Sequence, residues 1–154
     1  MHCAGMAEPS DPPIDPGARA AAFRRVREAH QTEVAEDYVE LIGDLIAAHG
    51  EARLTDLAQH MDVSLATAAK IVQRLSREGL VRSRPYRSLF LTDAGEALAD
   101  RSRARHRVVE AFLVALGVDP AVAALDAEGV EHHVSDDTLA AFRAFTERAA
   151  RPRP

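Results

Sequence analysis

A single cysteine, Cys3, rules out an internal disulfide. It sits in a stretch rich in Pro and Gly and reads as a bystander thiol in a reducing compartment. No apolar run approaches the ~20 residues needed to span a bilayer, so no membrane partner is expected. The opening "MHCAGMAEPSDPPIDPG" has neither the basic n-region nor the apolar h-region of a secretion signal, and a cytoplasmic location is expected. Also missing are a Gly-rich phosphate cradle and any nucleophile motif, and the connections between apolar-periodic segments are short. A hydrolase needs an open coordination position in a loop-built pocket, so the chain does not read as an enzyme.

What is present is enough for one ordinary domain or two small ones sharing an interface: 154 residues, 47% of them hydrophobic. The net charge of -5 hides an uneven distribution. Residues 64–91 hold Lys70, Arg74, Arg77, Arg82, Arg84 and Arg87 against Glu78 alone, whereas residues 1–50 hold four Arg against nine Asp and Glu. One face should be basic and another acidic.

Residues 1–17, with no apolar periodicity, read as a disordered tail. From Ala18 to His49 the apolar positions Phe23, Val26, Val34, Tyr38, Leu41, Ile42, Leu45 and Ile46 recur at three- and four-residue steps, predicting a long helix closed by Gly50. Leu54 to His60 reads as a short helix and Met61 to Val63 as a tight turn. Ser64 then caps a helix running to Glu78 and ended by Gly79. The stretch "LVRSRPYRSLFL" suits a two-stranded ribbon with a basic tip at residues 84–87. Thr92 or Asp93 caps a helix reaching Leu116, Asp119-Pro120 opens another, and Ser135 caps a last one to about Ala149. The expected fold is mainly α: a winged helix-turn-helix DNA-binding domain over residues 18–98 and an all-helical dimerisation and metal-binding domain over residues 99–149.

Helix, turn, helix and ribbon make a winged helix, whose second helix fits a major groove. Its first turn would present Ser64, Ala66, Thr67 and Lys70 to base edges. Arg74, Arg77, Arg82, Arg84 and Arg87 would neutralise phosphates, giving affinity with a steep salt dependence and no sequence information. An exposed Arg face is usually only a solvated one; here it coincides with helix-turn-helix punctuation and a basic ribbon, which favours double-stranded DNA as partner.

Three predicted helices carry candidate metal ligands. Asp37 and Glu40 in "EDYVELI" share one face, three residues apart. His106 and Glu110 in "RHRVVEAF" are four apart. Glu128, Glu131 and His132 in "AEGVEHHVSDD" follow i, i+3, i+4 on a third helix. Each pair has a bland reading as a solvated acidic face or a surface histidine, but carboxylates crowded beside histidine repel one another unless a cation sits between them.

The order "DYVE", basic winged helix, "GEALA", "RH", "DAEGVEHHVS" resembles the manganese transport regulators of the diphtheria toxin repressor family, from about Phe23 to Arg148. "EGVEHHVS" is the specific part of the match; the winged helix is shared by many repressors. The resemblance implies a homodimeric transcriptional repressor of manganese uptake genes. Its metal ligands would be Asp37, Glu40, His106, Glu128, Glu131 and His132, holding one or two Mn2+ per subunit, with His133 and Glu110 in supporting roles. In the iron-sensing branch Met and Cys stand at the positions of Asp37 and Glu128, and an SH3-like domain is appended for which this chain leaves no room. Four carboxylates and two imidazoles without thiolate suit a fairly hard ion such as Mn2+, although Zn2+ or Co2+ binds such a donor set more tightly by intrinsic affinity. Sensing of Fe2+ or Zn2+, or a winged-helix regulator that senses no metal, are the alternatives.

Overall fold

The computed structural model describes residues 15–83 and 88–151. The first fourteen residues of the expected tail, and Arg84 and Arg87 at the ribbon tip, lie outside the described residues. Helix α1 spans Pro16–His49, β1 Ala52–Arg53, α2 Leu54–His60, α3 Leu65–Arg77, β2 Val81–Ser83, β3 Ser88–Leu91, α4 Asp93–Ala115, α5 Pro120–Val130 and α6 Asp136–Ala149.

Helix α1 starts two residues earlier than its apolar pattern suggests. The Asp15 carboxylate accepts from the N–H groups of Gly17 and Ala18, and Pro16 occupies the first turn, where its missing N–H costs nothing. The helix ends at Gly50, whose φ of 81° is left-handed and free of a Cβ penalty. Only its second half is buried: Tyr38, Val39, Ile42 and Leu45 enter the core, while Phe23 and Val26, expected on the same stripe, stay exposed.

The short α2, a turn with Asp62 at φ 50°, and α3 capped by the Ser64 hydroxyl give the expected helix-turn-helix. Strands β2 and β3 pair antiparallel, Val81 opposite Leu91. A third strand was not foreseen: β1 pairs with β3, Ala52 opposite Leu89, giving the order β1-β3-β2. Two residues before a helix carry no readable period. The first core joins Tyr38, Val39, Ile42 and Leu45 to Leu57, Val72, Leu75, Val81, Leu89 and Ala99.

Thr92, not Asp93, caps α4. Its hydroxyl donates to the Gly79 carbonyl at 2.6 Å and accepts from the Gly95 N–H at 3.1 Å, while its own N–H donates to the Leu80 carbonyl. The cap therefore fastens α4 to the base of the wing. From there α4 runs into a second core, where Val109 packs with Ala127 of α5 and Leu139 of α6, and Phe112 stacks on Phe142 with centroids 3.9 Å apart. Helix α5 is shorter than expected, ending at Val130, so Glu131 is its C-cap and His132 lies in the following turn. Glu131 keeps right-handed helical angles (φ -58°, ψ -36°), which preserves the expected one-face spacing although the helix has ended.

A Cβ at Gly95 would collide with the Leu80 carbonyl oxygen, which is backbone and cannot yield cheaply. Gly95→Ala should destabilise the chain by about 1–3 kcal/mol. Thermal unfolding monitored by circular dichroism checks this, with Gly129→Ala, where the new methyl meets nothing within 4 Å, as the contrasting substitution.

Candidate metal centre and nucleic-acid face

Asp37 and Glu40 sit on α1 beside Tyr38 and Val39, whose burial in the first core fixes the helix and leaves the two carboxylates on its rim. His106 projects from α4, Glu128 from α5, and Glu131 and His132 from the α5 end. The fold brings these together. His106 Nδ1 is 2.7 Å from Glu131 Oε2 and 3.7 Å from Glu128 Oε1; His132 Nε2 is 3.3 Å from Asp37 Oδ1 and 3.6 Å from Glu131 Oε1. Asp37, Glu40, Glu128 and His132 line one open cavity of about 590 Å³. Glu110 stands behind His106, 3.9 Å from Nε2, and His133 turns instead toward α1.

Three residues that the sequence did not single out hold the centre in place. Glu36 is buried and accepts from His132 Nδ1 at 2.7 Å, fixing the ring so that Nε2 faces Asp37. Its only sequence signal was adjacency to Asp37. Ser102, buried on α4, donates to Glu131 Oε1 at 3.4 Å. Arg105, within the run "RARHR" that looks like a solvated basic patch, donates to the main-chain carbonyls of Glu131 (2.8 Å) and Val134 (2.6 Å) and to Asp136. It clamps the α5–α6 turn onto α4.

Burial pushes Glu131 up to about 7, and the neighbouring Glu40 carboxylate adds to this, against the opposing pull of His106 and His132. For His132, burial works downward, but the hydrogen bonds and charges of Asp37 and Glu36, with Glu131, win and raise it to about 10. The His132 hydrogen bond holds Glu36 below the usual carboxylate range, whereas burial raises Glu40. Both shifts favour the protonated forms of Glu131 and His132, so in the metal-free centre protons stand where a cation would.

The donors fit a divalent ion. Glu131 Oε2 is buried and, apart from His106 Nδ1 at 2.7 Å, has no partner among the described residues, which leaves this oxygen and nitrogen side by side as donors for an electrophile. His106, Glu128 and Glu131 offer one atom each within 4.8 Å of the others. The set has hard oxygens and imidazole nitrogens and no sulfur. The Glu36–His132 pair is the carboxylate-to-imidazole support that metal-binding histidines ordinarily have.

Ala66, Thr67, Lys70 and Arg77 of α3 and Arg82 of β2 are exposed. Ser64 is exposed too, though its hydroxyl is committed to the Thr67 N–H and hydroxyl. Arg74 is half-buried with Nε 3.5 Å from Glu78, so part of its charge is already compensated.

Residues 30–89 match the family described as iron dependent repressor, N-terminal DNA binding domain, and residues 92–151 match its metal binding and dimerisation domain. The chain belongs to the diphtheria toxin repressor family. Over 126 residues, 82% of this chain and 81% of the relative, it is 56% identical to the transcriptional regulator MntR of Escherichia coli. It is 39% identical over 104 residues to the HTH-type transcriptional regulator MntR of Listeria monocytogenes, covering 68% of this chain and 73% of that one. A solved manganese-dependent transcriptional repressor in complex with manganese superposes with a TM-score of 0.64 at 32% identity, over 73% of this chain and 52% of that chain. The chain spans about half the length of that solved neighbour.

For a family member whose centre is proton-filled without metal, pH dependence follows directly. Both Glu131 and His132 are raised, so the folded metal-free chain binds more protons than the unfolded one, and stability falls as pH rises. The Glu131 contribution is present below its ordinary pKa and lost as pH climbs through about 7; that of His132 is lost on the way to about 10. The metal-free protein should melt at a lower temperature at pH 8.5 than at pH 6, and saturating Mn2+ should narrow the gap, as read by scanning calorimetry. Replacing the supporting carboxylate, Glu36→Ala, should weaken metal binding roughly 10- to 100-fold in a calorimetric titration with helix content unchanged.

Proposed function

We propose that this chain is a manganese-activated, DNA-binding transcriptional repressor that works as a homodimer in the cytoplasm and controls manganese uptake genes. The observation that carries the reading is the convergence of Asp37 and Glu40 from α1 with His106 from α4 and Glu128, Glu131 and His132 from the α5 end. Helix α1 is built into the core of the helix-turn-helix, whereas α5 and α6 form the second core. A divalent cation held by all three segments joins the two.

The six side chains would hold one or two ions, which supply a fixed positive charge in place of the His132 and Glu131 protons. In a dimer, the two α3 helices must lie about one DNA turn apart, ~34 Å or a multiple, to engage two half-sites. Fixing α1 to the α5–α6 turn favours one such arrangement. Coupling of ~1–3 kcal/mol is ordinary for linked sites, and operator DNA must then tighten metal binding by the same factor. Ser64, Ala66, Thr67 and Lys70 would read bases, and Arg74, Arg77, Arg82, Arg84 and Arg87 would contact phosphates. No helix of the described residues is long and apolar enough to cross a membrane.

Mn2+ is supported by the oxygen-rich donor set and by the MntR names of the 56% and 39% identical relatives. Zn2+, Co2+ and Fe2+ fit the same donors, and selection among them rests on geometry and availability.

Fluorescence anisotropy on a palindromic promoter fragment tests the reading. Mn2+ should tighten wild-type binding at least tenfold, and Glu128→Ala should abolish most of that gain. Equal affinity with and without metal would remove metal sensing. In the same assay Lys70→Ala should relax base preference, while Arg82→Ala should weaken all sequences similarly and lower the salt slope by about one.

A further inference from the structure

One group of ligand-type side chains lies outside the six donors. His30 and Glu33 are one turn apart on α1, and His133 follows His132 in the α5–α6 turn. His30 Nδ1 is 2.8 Å from Glu33 Oε2, and His133 Nε2 is 3.7 Å from that same oxygen. The two imidazole rings meet edge to face, centroids 5.0 Å apart and planes at 77°. One donor atom from each of the three falls within 4.8 Å of the others.

A surface hydrogen bond between residues three apart on a helix accounts for His30 with Glu33. It does not account for His133, which arrives from a turn at the far end of the sequence and aims a second imidazole at the same carboxylate oxygen. Zinc–nitrogen and zinc–oxygen bonds of about 2.0–2.2 Å place neighbouring donors in a tetrahedron roughly 3.3 Å apart. The observed separations of 2.8 and 3.7 Å bracket that spacing. The side chains are 62%, 26% and 34% exposed for His30, Glu33 and His133, so an ion can enter from solvent and keep water in a remaining position.

We propose that His30, Glu33 and His133 form a second divalent-cation site, imidazole-rich and suited to Zn2+ in preference to Mn2+. Two nitrogens and one oxygen invert the carboxylate excess of the principal centre, and softer, nitrogen-favouring ions follow that change. The site connects the same two segments as the principal centre, α1 and the α5–α6 turn, and abuts it through Glu33, which also lines the principal cavity. Its existence does not depend on which metal activates the protein, or on whether any does.

The test uses the full chain with the principal centre disabled by Asp37→Ala and Glu128→Ala, neither of which is a core residue. Zn2+ and Mn2+ are titrated separately against a chromogenic chelator, with circular dichroism confirming the fold. One Zn2+ per chain should remain bound, at least tenfold tighter than Mn2+. Adding His30→Ala, or independently His133→Gln, should weaken that Zn2+ at least tenfold. The proposal is overturned if the double variant retains no Zn2+, if Mn2+ binds it as tightly, or if the histidine substitutions leave Zn2+ binding unchanged. Operator binding by the wild type under Mn2+ tests the regulatory reading separately, since it leaves this zinc titration untouched.

Discussion

A carboxylate with 2% of its side chain exposed, Glu131, is the constraint around which the rest is arranged. An ionised group so placed is costly unless something positive or proton-donating stands against it. Arg105 is close, but its guanidinium is spent on main-chain carbonyls and Asp136, so it organises the turn without neutralising the Glu131 side chain. That leaves two imidazoles, a serine hydroxyl and the protonation of Glu131 that its burial favours. None of these removes the mutual repulsion of Asp37, Glu40, Glu128 and Glu131, and a divalent ion removes much of it at once. The fold therefore stores a deficit of positive charge at the junction between its two cores.

The donors are mounted on backbone that cannot easily drift. Tyr38 and Val39, between Asp37 and Glu40, are almost fully buried, and Val109 anchors α4 three residues beyond His106. Arg103 of α4 pairs with Asp44 of α1 at 2.7 Å, and Asp44 lines the same cavity, so the two helices are tied at its edge. Preorganisation of this kind would keep the cost of gathering these side chains around an ion low.

Much of this was legible in the sequence because punctuation and chemistry agreed. Ser64, Asp119-Pro120 and Ser135 each begin a helix as their types dictate, and the i, i+3, i+4 set around Glu128 survives even though α5 ends at Val130. What escaped was whatever depends on distant partners. Glu36 reads as one more acid next to Asp37 until a turn 96 residues away delivers the His132 ring to it. Arg105 reads as solvated charge until the carbonyls of Glu131 and Val134 appear above it. Phe23 and Val26 continue a helical stripe, but no second element of the described residues reaches far enough to cover them. Strand β1 exists because β3 has an open edge, not because Ala52 and Arg53 favour extension.

The cap at Thr92 gives α4 one further property. Its first turn is bonded to Gly79 and Leu80, the residues that lead into β2, while His106 sits fourteen residues along the same rod, about 20 Å away at 1.5 Å per residue. A stiff lever of that length turns a five-degree tilt at His106 into a displacement of nearly 2 Å at the wing. Hydrogen bonds to phosphate tolerate a few tenths of an ångström, so a small pivot is mechanically sufficient to disengage one edge of the reading surface.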